Sequence, residues 1–244
     1  MTYCVGVLVK DGLAMLADTR TNAGVDNVST YRKLRIFGND GRRLIAVASA
    51  GSLSTTQTAM ERARLGITAP DTKQVEMLEE ATSIHRAAYL LGQAIRFTRD
   101  EMEGLKQEEV NIDATLLVGG SVGGEPTRLF LVYGAGNFIE CCSDTPYLQI
   151  GETKYGRPIL DRALTYDTEL DEAVKIALIS FSSTMRSDLA VGLPIDVVTM
   201  RSGACTAELV HRIDDQDEYY RDLDERWSEA LRAAQASIPR PPYR

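Results

Sequence analysis

Thr2-Tyr3-Cys4-Val5-Gly6-Val7-Leu8-Val9, then Lys10-Asp11-Gly12, then Leu13-Ala14-Met15-Leu16-Ala17-Asp18, is the stretch on which the fold turns. Two apolar runs flank a polar, glycine-containing break, which predicts a β-hairpin. Neither run alternates cleanly. Near-continuous apolar strands suit a sheet covered on both faces. A second pair follows at residues 34–37 and 44–50, around Asn39-Asp40-Gly41.

Outward from there the pattern changes to helical spacing. Helices are expected at 54–65 and 83–103, the second with Ile84, Ala87, Ala88, Leu91, Ile95 and Met102 on one stripe. Residues 68–71 read as a plain loop. Strands return at 114–118, 129–133, 138–142 and 147–150. Helices are expected at 158–164 and 170–185, then strands at 195–200 and 208–210. A charged C-terminal helix at 217–236 and a tail at 237–244 end the chain. Strands, helices, strands, helices, strands is not the alternation of a parallel α/β sheet. Antiparallel sheets with helices stacked outside, an α+β class, fit it better. No repeat or interdomain linker breaks the pattern, so one domain over 1–244 is expected.

The composition narrows the function. The chain has 244 residues, is 44% hydrophobic, and carries a formal net charge of -8. An acidic chain is poorly suited to nucleic acid, which needs clustered Lys and Arg. It is equally unsuited to an anionic membrane surface. No apolar run approaches the ~20 residues of a spanning helix, and the start lacks the basic region of a signal peptide. A cytoplasmic location is expected. The four cysteines, Cys4, Cys141, Cys142 and Cys205, form no CxxC and read as buried free thiols, with Cys141 and Cys142 on opposite faces of a strand. The two histidines, His85 and His211, lack metal-ligand spacing. Histidine-based catalysis is therefore poorly supplied, and no cofactor or metal is expected.

Chemistry is concentrated at the start of the chain. Methionine removal is expected where residue two is small, and it would leave Thr2 with a free α-amine. That residue then holds a hydroxyl nucleophile and a base of pKa about 7.7 to 8.0. A nearby ammonium would lower the amine further, and Lys33 is the candidate, with Asp18 as its carboxylate partner. If Lys10-Asp11-Gly12 is a three-residue loop, Asp18 lies opposite Cys4 and shares a sheet face with Thr2. A two-residue Asp11-Gly12 loop would put them on opposite faces, so register decides. Ser49-Ala50-Gly51-Ser52 follows a strand and precedes a helix. Its N–H groups lie at a helix N-terminus, where an oxyanion is favoured.

Thr2, Ala17-Asp18-Thr19-Arg20-Thr21-Asn22-Ala23-Gly24, Lys33 and Ala50-Gly51-Ser52 together resemble the proteasome β-subunit pattern. The resemblance is closer to the Anbu family, the ancestral β-subunit. It covers nearly the whole chain, including Arg20 to Asp26, Ser29 to Lys33, Gln149 to Gly156 and Leu193 to Asp196. It implies the N-terminal-nucleophile (Ntn) hydrolase fold, a four-layer αββα sandwich with an added C-terminal helix. It also implies peptide-bond hydrolysis through an acyl ester on Thr2. In that scheme Asp18 and Lys33 surround the amine, the Gly51 N–H serves the oxyanion, and Asp188 is a second acidic residue. Backbone at Thr21, Asn22 and Ala23 flanks an extended peptide, and Tyr31, Ser49 and Leu53 line a specificity pocket.

Two departures stand out. Val191 and Glu152 occupy positions where a proteasome β-subunit usually carries serine. The nucleophile is kept, but efficient hydrolysis of ordinary peptides is not implied. No long propeptide precedes Thr2, so activation would need only loss of Met1. The expected function is a threonine endopeptidase subunit in a homo-oligomeric ring or helical assembly. The alternatives are a catalytically weak self-assembling scaffold and an Ntn amidase acting on a small amide. Peptide or protein substrates and an ATPase or adaptor are the expected partners.

Overall fold

A computed structural model describes residues 2–22, 28–103 and 111–243. The strands are β1 (Tyr3–Val9), β2 (Gly12–Asp18), β3 (Arg20–Asn22), β4 (Val28–Thr30), β5 (Leu34–Gly38), β6 (Arg43–Gly51), β7 (Ile67–Thr68) and β8 (Val75–Glu76). They continue with β9 (Ala114–Val122), β10 (Arg128–Val132), β11 (Phe138–Glu140), β12 (Tyr147–Gly151), β13 (Ile195–Arg201) and β14 (Leu209–Ile213). The α-helices are α1 (Leu53–Leu65), α2 (Ile84–Glu101), α3 (Arg157–Ala163), α4 (Leu170–Ser187) and α5 (Glu218–Ser237).

Two five-stranded antiparallel sheets form, in the orders β12-β1-β2-β13-β14 and β11-β10-β9-β6-β5. Three apolar layers show how they stack. Cys4, Met15, Ala17, Leu44, Ala46, Leu117 and Leu129 fill the space between the sheets. Tyr3, Val5, Val7, Leu16 and Val197 point the other way, onto Leu160, Ile176, Ala177 and Phe181 of α3 and α4. Ile45, Val47, Leu116 and Val118 point onto Met60, Leu90, Leu91 and Ile95 of α1 and α2. The result is the αββα sandwich. It explains why β1 and β2 are apolar at nearly every position: both faces of each are covered.

The helices begin where their caps predict. Ser52, Ser83 and Asp217 accept from the N–H groups of Thr55, Arg86 and Tyr220, each at the third helical position. Three details depart from expectation. Residues 67–68 pair with 75–76, so the segment read as a plain loop carries a small β-ladder. The strand at 138 ends at Glu140, leaving Cys142 exposed while Cys4, Cys141 and Cys205 are buried. The short ladder of β3 with β4 was not anticipated. His85 packs edge-on against Phe130 and Phe138, and His211 meets Asp217 at 3.2 Å, both structural settings. No helix among the described residues is long and apolar enough to cross a membrane.

Candidate active site

Thr2 sits one residue before β1, and the β1–β12 ladder holds it there. Its carbonyl accepts the Glu152 N–H at 2.7 Å. Gly151 makes this approach possible. Its φ is +83°, and a Cβ there would lie 1.9 Å from the Thr2 oxygen, so only glycine fits. Thr2 itself is 8% exposed.

Asp18 and Lys33 meet beneath it, though not by the expected register. Gly12 belongs to β2, paired with Val9 on one side and Arg201 on the other, so the turn is Lys10-Asp11. Cys4 then faces Ala17, which sets Asp18 level with Tyr3 rather than with Cys4. The shared sheet face expected from a three-residue loop is therefore not what unites Thr2 and Asp18. Asp18 is the last residue of its strand, and its carboxylate reaches the strand edge instead. Oδ1 accepts the Tyr3 N–H at 3.0 Å and the Lys33 ammonium at 2.8 Å. Lys33 Nζ also donates to the Arg20 carbonyl at 2.6 Å.

The pair is buried, with side-chain exposures of 5% for Lys33 and 0% for Asp18. Burial pushes the Asp18 carboxyl above its ordinary value, opposed by the Lys33 charge and by hydrogen bonds from Lys33 and the Tyr3 N–H. Cys4 lies close by, its thiol 3.6 Å from the Ser49 carbonyl. Burial, then the Asp18 charge, push that thiol far above its ordinary value. Cys4 is thus held protonated and is a poor nucleophile.

The opposite wall comes from the end of β6 and the start of α1. Gly51 has φ +99°, and a Cβ there would stand 2.2 Å from the Asp113 carbonyl. Ser52 donates its N–H to the same carbonyl at 2.7 Å and caps α1 through its hydroxyl. The first turn of the helix therefore opens on the site, and its dipole favours negative charge there.

Thr2, Thr21, Lys33, Ser49, Gly51 and Leu53 all line one cleft of about 380 Å³. Ala50, from the expected Ser49-Ala50-Gly51-Ser52 stretch, lines it too, as do Thr56, Asn111 and Gly151, which were not anticipated as site residues. Tyr31 is 43% exposed and does not line it. Asp188 closes α4, where its carboxylate accepts the Ala190 N–H at 2.8 Å. Val191 is buried among the apolar residues beneath α4. Asn22 contributes backbone to β3, and Ala23 lies outside the described residues. Among the described residues, no His, Cys, Asp and Glu side chains gather as a metal would require.

Residues 2–200 match the family model "Proteasome subunit". "Proteasome subunit beta 2" of Pyrobaculum calidifontis is 28% identical over 207 residues, covering 84% of this chain and 92% of that protein. Among solved structures, Anbu from Yersinia bercovieri is 43% identical, with TM-score 0.87 and 97% of each chain covered. The Anbu (Gly-1) mutant from Hyphomicrobium sp. strain MC1 is 41% identical, with TM-score 0.89 and all of each chain covered. A helical assembly of the Anbu complex from Pseudomonas aeruginosa is 37% identical, with TM-score 0.90 and 98% of each chain covered. The chain belongs to the proteasome subunit family, and within it to the Anbu (ancestral β-subunit) branch.

Proposed function

We propose that the protein is a threonine endopeptidase subunit with Thr2, freed of Met1, as nucleophile. The observation that carries this is one cleft lined by Thr2, Lys33 and Gly51, with Asp18 held to Lys33 at 2.8 Å. Thr2 Oγ attacks the peptide carbonyl while the α-amine takes its proton. The nearby Lys33 ammonium disfavours a second positive charge and so keeps more of the amine neutral at working pH. Asp18 holds Lys33 in place. The oxyanion is received by the Gly51 N–H at the mouth of α1. The intermediate collapses to an ester on Thr2, the C-terminal half of the substrate leaves as an amine, and water releases the remainder.

Further site assignments belong to the same proposal. Thr21 and Asn22 supply backbone to an extended peptide, and Ser49 and Leu53 border the substrate side chain. Asp188, at the end of α4, is the second acidic residue that the resemblance implies. Self-association fits the assembly named for the Pseudomonas aeruginosa relative.

Val191 favours a second reading. No hydroxyl stands at that position to help organise the amine, so the fold would persist as a scaffold with weak turnover. Hydrolysis of a fluorogenic peptide by wild type and by Thr2→Ala separates the two. The enzyme reading expects turnover in wild type and none above background in Thr2→Ala. Equal rates in both would leave the scaffold.

A further inference from the structure

We infer that the cleft beside Thr2 selects a neutral P1 side chain bearing a carbonyl acceptor, asparagine or glutamine above all, and that Thr21 reads it. P1 is the residue whose carbonyl Thr2 attacks, so the inference rests on the nucleophile assigned above. It comes from counting unspent hydrogen-bonding capacity around the cleft.

Thr56 has committed its hydroxyl proton to the Leu53 carbonyl at 3.0 Å. Ser49 has committed its own to the Lys33 carbonyl at 3.4 Å. Asn111 accepts the Asp113 N–H at 2.8 Å through its side-chain oxygen, which leaves its NH2 group to give. Thr21 Oγ1 is buried and has no partner among the described residues. A buried hydroxyl without a partner is costly, and one on a cleft-lining residue is a group that a bound side chain can satisfy. Thr56 and Ser49 keep lone pairs to accept, Asn111 keeps its NH2 to give, and Thr21 can do either, so the group that satisfies them both accepts and donates, as a primary amide does.

Charge decides between a carboxylate and an amide. Lys33 is the only cation lining the cleft among the described residues, and Asp18 already neutralises it. A carboxylate would enter without a counter-ion, and an ammonium would meet no free anion. Among the described residues only Ala50 and Leu53 give the cleft purely aliphatic side chains, so a leucine or methionine would displace water from Thr21 and Asn111 without replacing it. A site built to hydrogen-bond a substrate group rejects the analogue that lacks it far more strongly than an apolar slot sorts sizes.

The test uses four fluorogenic peptides that differ only at P1, in near-isosteric pairs: asparagine against leucine and glutamine against methionine. In the mature full-length protein kcat/KM should favour the amide in both pairs by about tenfold or more. Thr21→Val should bring both ratios toward one, and Thr21→Ser should restore them. Leucine and methionine equal to or above their amide partners would overturn the inference. So would ratios untouched by Thr21→Val. A β-lactone too small to occupy P1 reports on the nucleophile alone. Labelling of Thr2 with an apolar P1 order refutes the specificity while the nucleophile stands. No labelling removes the nucleophile and this inference with it.

Discussion

Two ion-pair clusters in this molecule use charge in opposite ways. Around Arg86, Nε and Nη2 reach Glu76 at 2.8 and 2.6 Å, while Nη1 and Nη2 reach Asp71 at 2.6 and 3.0 Å. The guanidinium also lies 4.7 Å from the Tyr89 ring centroid. This fork ties residues 71–76 to α2 in a partly solvated setting. Around Lys33 there is one carboxylate, one carbonyl and no water-exposed edge to speak of. A planar fork with every oxygen matched is suited to fastening; a compact ammonium that lines a cleft is suited to acting on a neighbour. The first cluster can be lost cheaply, and the second cannot.

Lys33→Ala should give the largest effect. On the proposed mechanism it removes the charge that keeps the Thr2 amine neutral, and kcat should fall by about 10²- to 10⁴-fold. It also leaves Asp18 buried and unpaired, at a cost of about 3–5 kcal/mol. The pH dependence follows in sign. The Asp18 carboxyl is already raised by burial, and losing Lys33 raises it further. A carboxyl raised in the folded state contributes its stability below the unfolded value and loses it as pH rises through the folded value. Urea melts of the variant should therefore deviate from wild type least in acid and most near neutrality. A deficit that shrinks with rising pH would contradict the buried-pair account.

Gly151→Ala should come next. The added carbon meets the Thr2 carbonyl at a backbone φ that alanine resists, so Thr2 must move. Loss of peptide turnover with a stability cost of about 1–3 kcal/mol is expected. Unchanged turnover would show that the β12 end does not seat the nucleophile.

Arg86→Ala should be the smallest. Its partners are carboxylates in contact with solvent, so the stability loss should be modest, and turnover should be unaffected. The Asp71 carboxyl is lowered to about 2 by its bond to Arg86, and Glu76 is lowered likewise. A lowered carboxyl gives stability above its unfolded value and loses it as pH falls through the folded one. The variant should differ from wild type near neutrality and converge with it toward pH 2.

The same contrast explains what was legible in the chain alone. Thr2, Asp18, Lys33 and Gly51 lie within the first 51 residues, each at an element boundary, and their chemistry is readable from residue type. Covered antiparallel sheets with helices outside were readable from apolar runs that do not alternate, while the four-layer order came with the family resemblance. Gly151, Thr56 and Asn111 were hidden because their role depends on packing. Gly151 matters through contact with a residue 149 positions earlier, and no local pattern encodes that pairing. The hairpin register stayed open between two turns that both included Gly12, whereas β13 claims Gly12 for the sheet. Local signals name the elements; partners brought from afar set the register.

The central claim is that Thr2, with its amine free, is the reacting residue. Intact-mass measurement of the purified protein, before and after incubation with a peptide epoxyketone, tests it most directly. The account predicts a wild-type mass lacking Met1 that gains one inhibitor, and a Thr2→Ala protein that gains none. A chain that keeps Met1, or one labelled equally with and without Thr2, would contradict it.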